Sequence, residues 1–297
     1  MKAKENAMTT AMAESRNGHG VGRLEKDGKV FVTPELAAEW LSRNGINRKL
    51  IPNHVRSLEA VLLRGEWALN GETIKFSKTG RLLDGQHRLT ACVNSGVGFW
   101  THVVYRLEDS TFETIDTTSR PRKASDILSI HGKAAANSLA ACAKSLWIFS
   151  QTRQFYDGGG GVAGFTPRVC VDLIERRPAI EQFVHTAHSN RVFGSQSLLA
   201  ALAYLFSCVD DSLSSEFLSV MNDGSSELAR PFNVLREALI GRRMTSVRVG
   251  NRPLAFMAIR AWNSELSGTW IKKVYYKPNE DFPLIDGLDY ENLAKYV

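Results

Sequence analysis

One segment concentrates residues able to do chemistry: Asp84-Gly85-Gln86-His87-Arg88, between Leu82-Leu83 and Leu89-Thr90-Ala91. The residues before it read as the end of a short strand, and those after it as a short helix. A strand-to-helix junction presents unpaired backbone N–H groups and a partial positive charge, which favour an anion. Gly85 permits a tight turn and the close approach of a phosphate to the backbone. His87 and Arg88, both in the first helical turn, add positive potential where the helix dipole is already positive. A bound anion offsets that cost. Asp84, at the strand end, is suited to holding a divalent cation or accepting a proton. The residue types therefore point to a phosphate site formed by Gly85, Gln86, His87 and Arg88, with Asp84 and His87 as the candidate catalytic pair. The plainer alternative is an aspartate helix cap beside a surface histidine and arginine.

The elements that must position these residues are legible around them. Thr33-Pro34 opens a helix that Asn44-Gly45 closes, and a second helix runs from about Pro52 to Arg64. Glu72–Ser77 alternates as a strand, Lys78-Thr79-Gly80 turns the chain, and Arg81–Leu83 begins the next strand. Trp100–Tyr105 is a further strand, and a short helix lies near Thr111–Ile115. Helix and strand thus interleave from about residue 23 to 128, which predicts a compact α/β domain.

From Ala134 onward the periodicity is helical, with helices expected over Ala135–Phe149, after Thr166-Pro167 and Arg177-Pro178, and over Ser195–Cys208, Ser212–Met221, Pro231–Arg242 and Pro253–Leu266. The expected division is a disordered tail over 1–22, an α/β domain over 23–128, a helical domain over 129–266, and a C-terminal strand and tail over 267–297. Thr269–Tyr276 alternates loosely and is expected to form an edge strand. Trp147, Trp262 and Trp270 sit at apolar positions and are expected in the core.

Composition narrows the function classes. Of the 297 residues, 43% are hydrophobic and 23% charged, ordinary globular usage. No run approaches the ~20 apolar residues of a membrane span, and the N-terminus lacks the apolar core of a signal peptide. A cytoplasmic protein with no membrane partner is expected. Cys92, Cys142, Cys170 and Cys208 lie far apart among apolar residues, as core thiols do. His185 and His188 lack a third ligand at zinc spacing and read as ordinary histidines.

The formal net charge is +6, from 37 basic and 31 acidic residues, and the excess is clustered. Gly241–Arg260 holds Arg242, Arg243, Arg248, Arg252 and Arg260 with no acid, and Gly241, Gly250 and Pro253 place the first four on an inter-helix loop. Arg120, Arg122 and Lys123 form a second cluster. Such patches attract polyanions, most simply double-stranded DNA.

The junction resembles the phosphate-binding motif of the ParB/sulfiredoxin superfamily. More closely, the arrangement over most of the chain is similar to its DGQHR-containing, ParB-like proteins of actinobacteria and their phages. Further landmarks are Asn47-Arg48, Gly65-Glu66-Trp67, Asn70-Gly71, Ile115-Asp116-Thr117, Arg260-Ala261-Trp262-Asn263 and Phe282-Pro283. Gly85, Arg88 and Ala91 fall on the Gly, second Arg and Ala of the nucleotide motif of partition proteins. Gln86 stands where that motif has a turnover-linked glutamate and where sulfiredoxins have their cysteine, which excludes thiol chemistry. The resemblance implies a DNA-associated protein binding a nucleotide, ATP or CTP with Mg²⁺ held at Asp84, and admits a homodimer. It leaves open a nucleotide hydrolase, a metal-dependent nuclease, a small-molecule kinase and a non-catalytic interaction module. For the kinase, whose motif form matches Asp84, Gly85, His87 and Arg88, Glu66 and Glu72 are the nearby acids for a base.

Overall fold

The computed structural model describes residues 26–45, 47, 49–115, 122–156, 164–224, 230–244 and 249–297. The expected tail over 1–22, the glycine run 158–161, Asp116, Arg48, Arg120 and Arg248 lie outside them. The chain divides into two compact units, Met1–Pro121 and Arg122–Val297.

The first unit is α/β. Its elements are β1 (Gly28–Val32), α1 (Pro34–Ser42), α2 (Pro52–Leu63), β2 (Thr73–Ser77), β3 (Leu82–Asp84), α3 (Gln86–Ser95) and β4 (Phe99–Leu107), followed by a 3₁₀ turn at Asp109–Glu113. The sheet order is β1-β4-β2-β3. β4 pairs antiparallel with β1 and parallel with β2, and β2 and β3 form an antiparallel hairpin. The cap that the sequence predicts for α1 is present: Thr33 Oγ1 accepts from the Leu36 N–H at 3.2 Å, with Pro34 next in the chain. One face of the sheet supplies Ile74, Phe76, Phe99 and Val103 to a core completed by Trp40, Val55, Leu62 and Leu89 from the helices. Trp40 meets Phe76 edge-on at 5.2 Å.

The second unit is helical, and no strand occurs among its described residues. Its α-helices are α4 (Ala124–Ile130), α5 (Ala136–Thr152), α6 (Pro167–Arg176), α7 (Ala179–Ala187), α8 (Gln196–Ser207), α9 (Asp211–Asp223), α10 (Pro231–Met244) and α11 (Asn251–Leu266). Every residue of α8 from Leu198 to Phe206 is buried. α5, α7, α9 and α11 pack around it. Trp262 on α11 is fully buried and stacks on Phe206 at 4.2 Å.

Two expectations about boundaries change. α4, with the buried Leu128, belongs to the helical core, so the division falls after Pro121 rather than after 128. Thr269–Tyr276 forms no strand. A strand needs a partner for its backbone, and the described part of this unit has none to offer. The tail is instead held by burial of Val274, Ile285, Leu288, Leu293 and Tyr296, and by Tyr204 Oη donating to the Tyr296 carbonyl at 2.8 Å.

Cys92, Cys142 and Cys170 are buried and Cys208 half-buried, all four as free thiols. Burial pushes the Cys92 thiol up to about 12 and Cys170 to about 11, which keeps both protonated and unreactive near neutrality. No helix among the described residues is long and apolar enough to cross a membrane.

Candidate functional site

The junction is built by a hairpin followed by one residue of unusual backbone. Gly85, between β3 and α3, has φ +110° and ψ 0°, a conformation L side chains rarely adopt. A Cβ on Gly85 would lie 2.3 Å from Cδ1 of Ile74, which is itself fully buried on β2. Glycine is therefore required for its dihedral and for packing against Ile74. The close approach expected of a phosphate is here made by a core side chain.

Charge at the junction is compensated within the chain. The hairpin register places Lys75 directly opposite Asp84, and Lys75 Nζ lies 2.6 Å from Asp84 Oδ2. Arg88 reaches the same oxygen at 3.2 Å, as an i,i+4 partner along α3. Its Nη2 also donates to the Thr73 carbonyl at 2.9 Å, which ties α3 to the start of β2. Arg88 Nη1 is buried, makes no hydrogen bond among the described residues, and lies 3.6 Å from Glu72 Oε2. Two cations thus face two carboxylates.

Gln86 and His87 point to the segment between α1 and α2. Asn44 Nδ2 donates to Gln86 Oε1 at 3.3 Å, and Asn47 Nδ2 donates to Asn44 Oδ1 at 2.6 Å and to the Leu82 carbonyl at 2.8 Å. The Ile51 N–H donates to His87 Nε2 at 3.0 Å, and the His54 ring stands 5.1 Å away. A ring nitrogen that accepts an N–H carries no proton, so His87 is neutral in this arrangement, with its proton on Nδ1. Gln86, His87 and Arg88 are 6%, 5% and 8% exposed. The plainer sequence reading needs correction here. His87 and Arg88 are not surface residues. The helix cap is Gly85 rather than Asp84.

The remaining candidates are dispersed. Among the described residues no group of three or more His, Cys, Asp or Glu stands close enough to hold a metal ion. With Lys75 and Arg88 on Asp84 Oδ2, these residues do not fit Mg²⁺ at Asp84. Glu66 is paired with Arg64 at 2.8 Å and Glu72 with Arg88, so neither stands as a base beside His87.

Arg122 and Lys123 are exposed at the start of α4, where the Lys123 N–H donates to Asp126 Oδ2 at 2.8 Å. Arg242 and Arg243 do not lie on a loop: both belong to the last turn of α10, where cations complement the helix dipole. Arg252 is in the first turn of α11, bonded to the Gln154 side chain, with its guanidinium 5.0 Å from the centre of the Phe282 ring. Arg260 pairs with Glu280 at 2.8 Å. His185 and His188 are exposed at the end of α7.

Sequence reasoning missed Lys75, Asn44, Asn47 and Ile51 as members of the junction. For Lys75 the signal existed, since pairing outward from the Lys78-Thr79-Gly80 turn sets it opposite Asp84. For Asn44 and Ile51 there was none, and Asn47 stood only as a landmark of the resemblance, because the contacts of all three span 35 to 42 positions. No family model, curated protein or solved structure matches the chain.

Proposed function

We propose that the chain is a DNA-associated, ParB-like protein whose Asp84–Arg88 junction holds a phosphate or nucleotide without turning it over. The observation that carries this reading is Arg88 Nη1: buried and, among the described residues, without a hydrogen bond and opposed by Glu72, whose side chain is 66% exposed. A buried guanidinium N–H left unbonded is costly, and a phosphate oxygen is a stronger acceptor than a half-solvated carboxylate at 3.6 Å. The resemblance adds Gly85, Arg88 and Ala91 as nucleotide-motif matches. Turnover is not part of the proposal, because Asp84 Oδ2 and His87 Nε2 are already engaged and Gln86 is neutral.

Calorimetry with inorganic phosphate, ATP and CTP tests the reading. Glu72→Gln removes the competing carboxylate and should tighten binding several-fold, whereas Arg88→Ala should abolish it. A second reading, a non-catalytic module in which the junction only braces the fold, is favoured by the internal partners of Asp84, Gln86 and His87. Absence of binding by both wild type and Glu72→Gln would establish that reading instead.

For DNA, log affinity for a ~30-base-pair duplex should fall linearly with log salt, with a slope of about 0.9 per neutralised phosphate. Replacing Arg242, Arg243 and Arg248 together with Ala should flatten the slope by roughly 2.7. Arg252→Ala should leave it nearly unchanged, since that guanidinium is packed on Phe282.

A further inference from the structure

The segment from Thr269 to Pro278 divides its side chains by chemistry. Val274 is buried, Ile271 packs against the helical core, and Tyr276 meets Phe256 edge-on at 5.2 Å. The residues between them face outward. Trp270 is 58% and Tyr275 48% exposed, and Lys272, Lys273 and Lys277 are exposed as well. The inward residues are Ile271, Val274 and Tyr276, and every one of these outward residues is aromatic or basic. No acid occurs between Glu265 and Glu280. Lys272 and Lys273 have no ion-pair partner among the described residues, and Lys277 lies 5.4 Å from the centre of the Tyr275 ring while pairing with Glu280.

We infer that this face binds single-stranded nucleic acid, with Trp270 and Tyr275 as stacking platforms for bases and the lysines as contacts to the phosphates. Exposing a tryptophan to water forgoes a large burial energy, and the bases of a single strand can cover it whatever their sequence. The charge selects a polyanion. A duplex hides its bases, so it can use the lysines but not the rings. A membrane surface fits less well, because it requires a continuous apolar face, and here the apolar side chains Ile271 and Val274 are committed to the protein core. The backing is fixed before any ligand arrives. The Thr269 N–H donates to the Ser264 carbonyl at 2.8 Å, Arg260 pairs with Glu280, and Asn263 Nδ2 donates to the Leu284 carbonyl at 2.8 Å. Such preorganisation limits the entropy lost on binding. Trp270 and Tyr275, five residues apart, are separated by at most about 18 Å of chain, so a strand of a few nucleotides spans them.

The test is fluorescence anisotropy of labelled 20-mers of thymidine and uridine and of a 30-base-pair duplex, at several salt concentrations. The full chain is compared with its Trp270→Ala, Tyr275→Ala and Lys272→Ala/Lys273→Ala variants. Each aromatic substitution should weaken both single strands about tenfold and leave duplex binding unchanged. The double lysine variant should flatten the single-strand salt slope by about 1.4. Unchanged circular dichroism and melting would show that the variants remain folded. Arg88→Ala should leave strand binding intact, which separates this face from the phosphate proposal. Equal strand affinity for wild type and both aromatic variants overturns the inference. So does binding of wild type to anionic phosphatidylserine vesicles, but not to strands, that is lost in Trp270→Ala.

Discussion

Asp84–Arg88 in the α/β unit and Thr269–Lys277 in the helical unit both carry charged residues beside apolar anchors, but they treat them in opposite ways. At the junction Asp84, Gln86, His87 and Arg88 each have a partner inside the chain, and those partners come from β2, from α3 itself and from the segment before α2. Along the C-terminal segment Trp270, Lys272 and Lys273 make no hydrogen bond, ion pair or ring contact among the described residues. The region that looks most like a motif is the one whose side chains are most committed to holding the fold. A motif names residue types. Whether they are available depends on what the topology sets opposite them.

The commitment of the junction is exposed most severely by Gly85→Ala. Positive φ strain and the overlap with Ile74 Cδ1 together predict a loss of about 3 kcal/mol in urea unfolding. Adding Ile74→Val removes that methyl group, so the double variant should be more stable than the sum of the two single losses. Strict additivity would mean that the overlap contributes nothing and that Gly85 is fixed by its dihedral alone.

Asp84→Asn is the next largest effect. It keeps the shape but leaves Lys75 and Arg88 sharing a neutral amide in a partly buried site. The expected loss is about 2 kcal/mol, below that of a fully buried pair because water still reaches Lys75. In the Lys75→Met background the same substitution should cost less, since one stranded cation is gone. A double-mutant cycle with no coupling would separate Asp84 from the brace.

Much of this architecture is legible in the sequence where the signals are local. Thr33-Pro34 and Thr166-Pro167 cap helices as expected, with Thr166 Oγ1 accepting from the Val169 N–H at 3.2 Å. The helices of the second unit from α5 onward fall within a few residues of the periodicity, whereas α4 (Ala124–Ile130) was not anticipated. β1 escaped because Gly28–Val32 is short and gains its stability by pairing with β4, about seventy positions away. The position of the site was legible, and its state was not. Lys75 cancels Asp84 through a hairpin register, and Ile51 takes the lone pair of His87 through a contact 36 residues distant. Trp270 was misplaced for a related reason. Alternation with Val274 inward would put Trp270 inward as well; the segment forms no strand, and its inward residues are Ile271, Val274 and Tyr276, which leaves Trp270 outside.

The smallest effect sharpens the comparison from the other side. Trp270→Ala and Tyr275→Ala, singly or together, should change unfolding stability by no more than about 0.5 kcal/mol, the range of surface substitutions that break no named contact. Among the described residues Tyr275 gives up its ring approach to the Lys277 ammonium and a side-chain hydrogen bond to it, and Trp270 gives up no ring contact or hydrogen bond. The anchors of the segment, Val274 and Tyr276, are untouched by either change. Urea and thermal unfolding of the double variant should therefore superimpose on wild type, while the junction variants shift by several-fold more. A loss above about 1 kcal/mol in the double variant would mean that the two rings brace the C-terminal segment as Asp84 and Arg88 brace the hairpin. The contrast between a committed motif and an available face would then collapse.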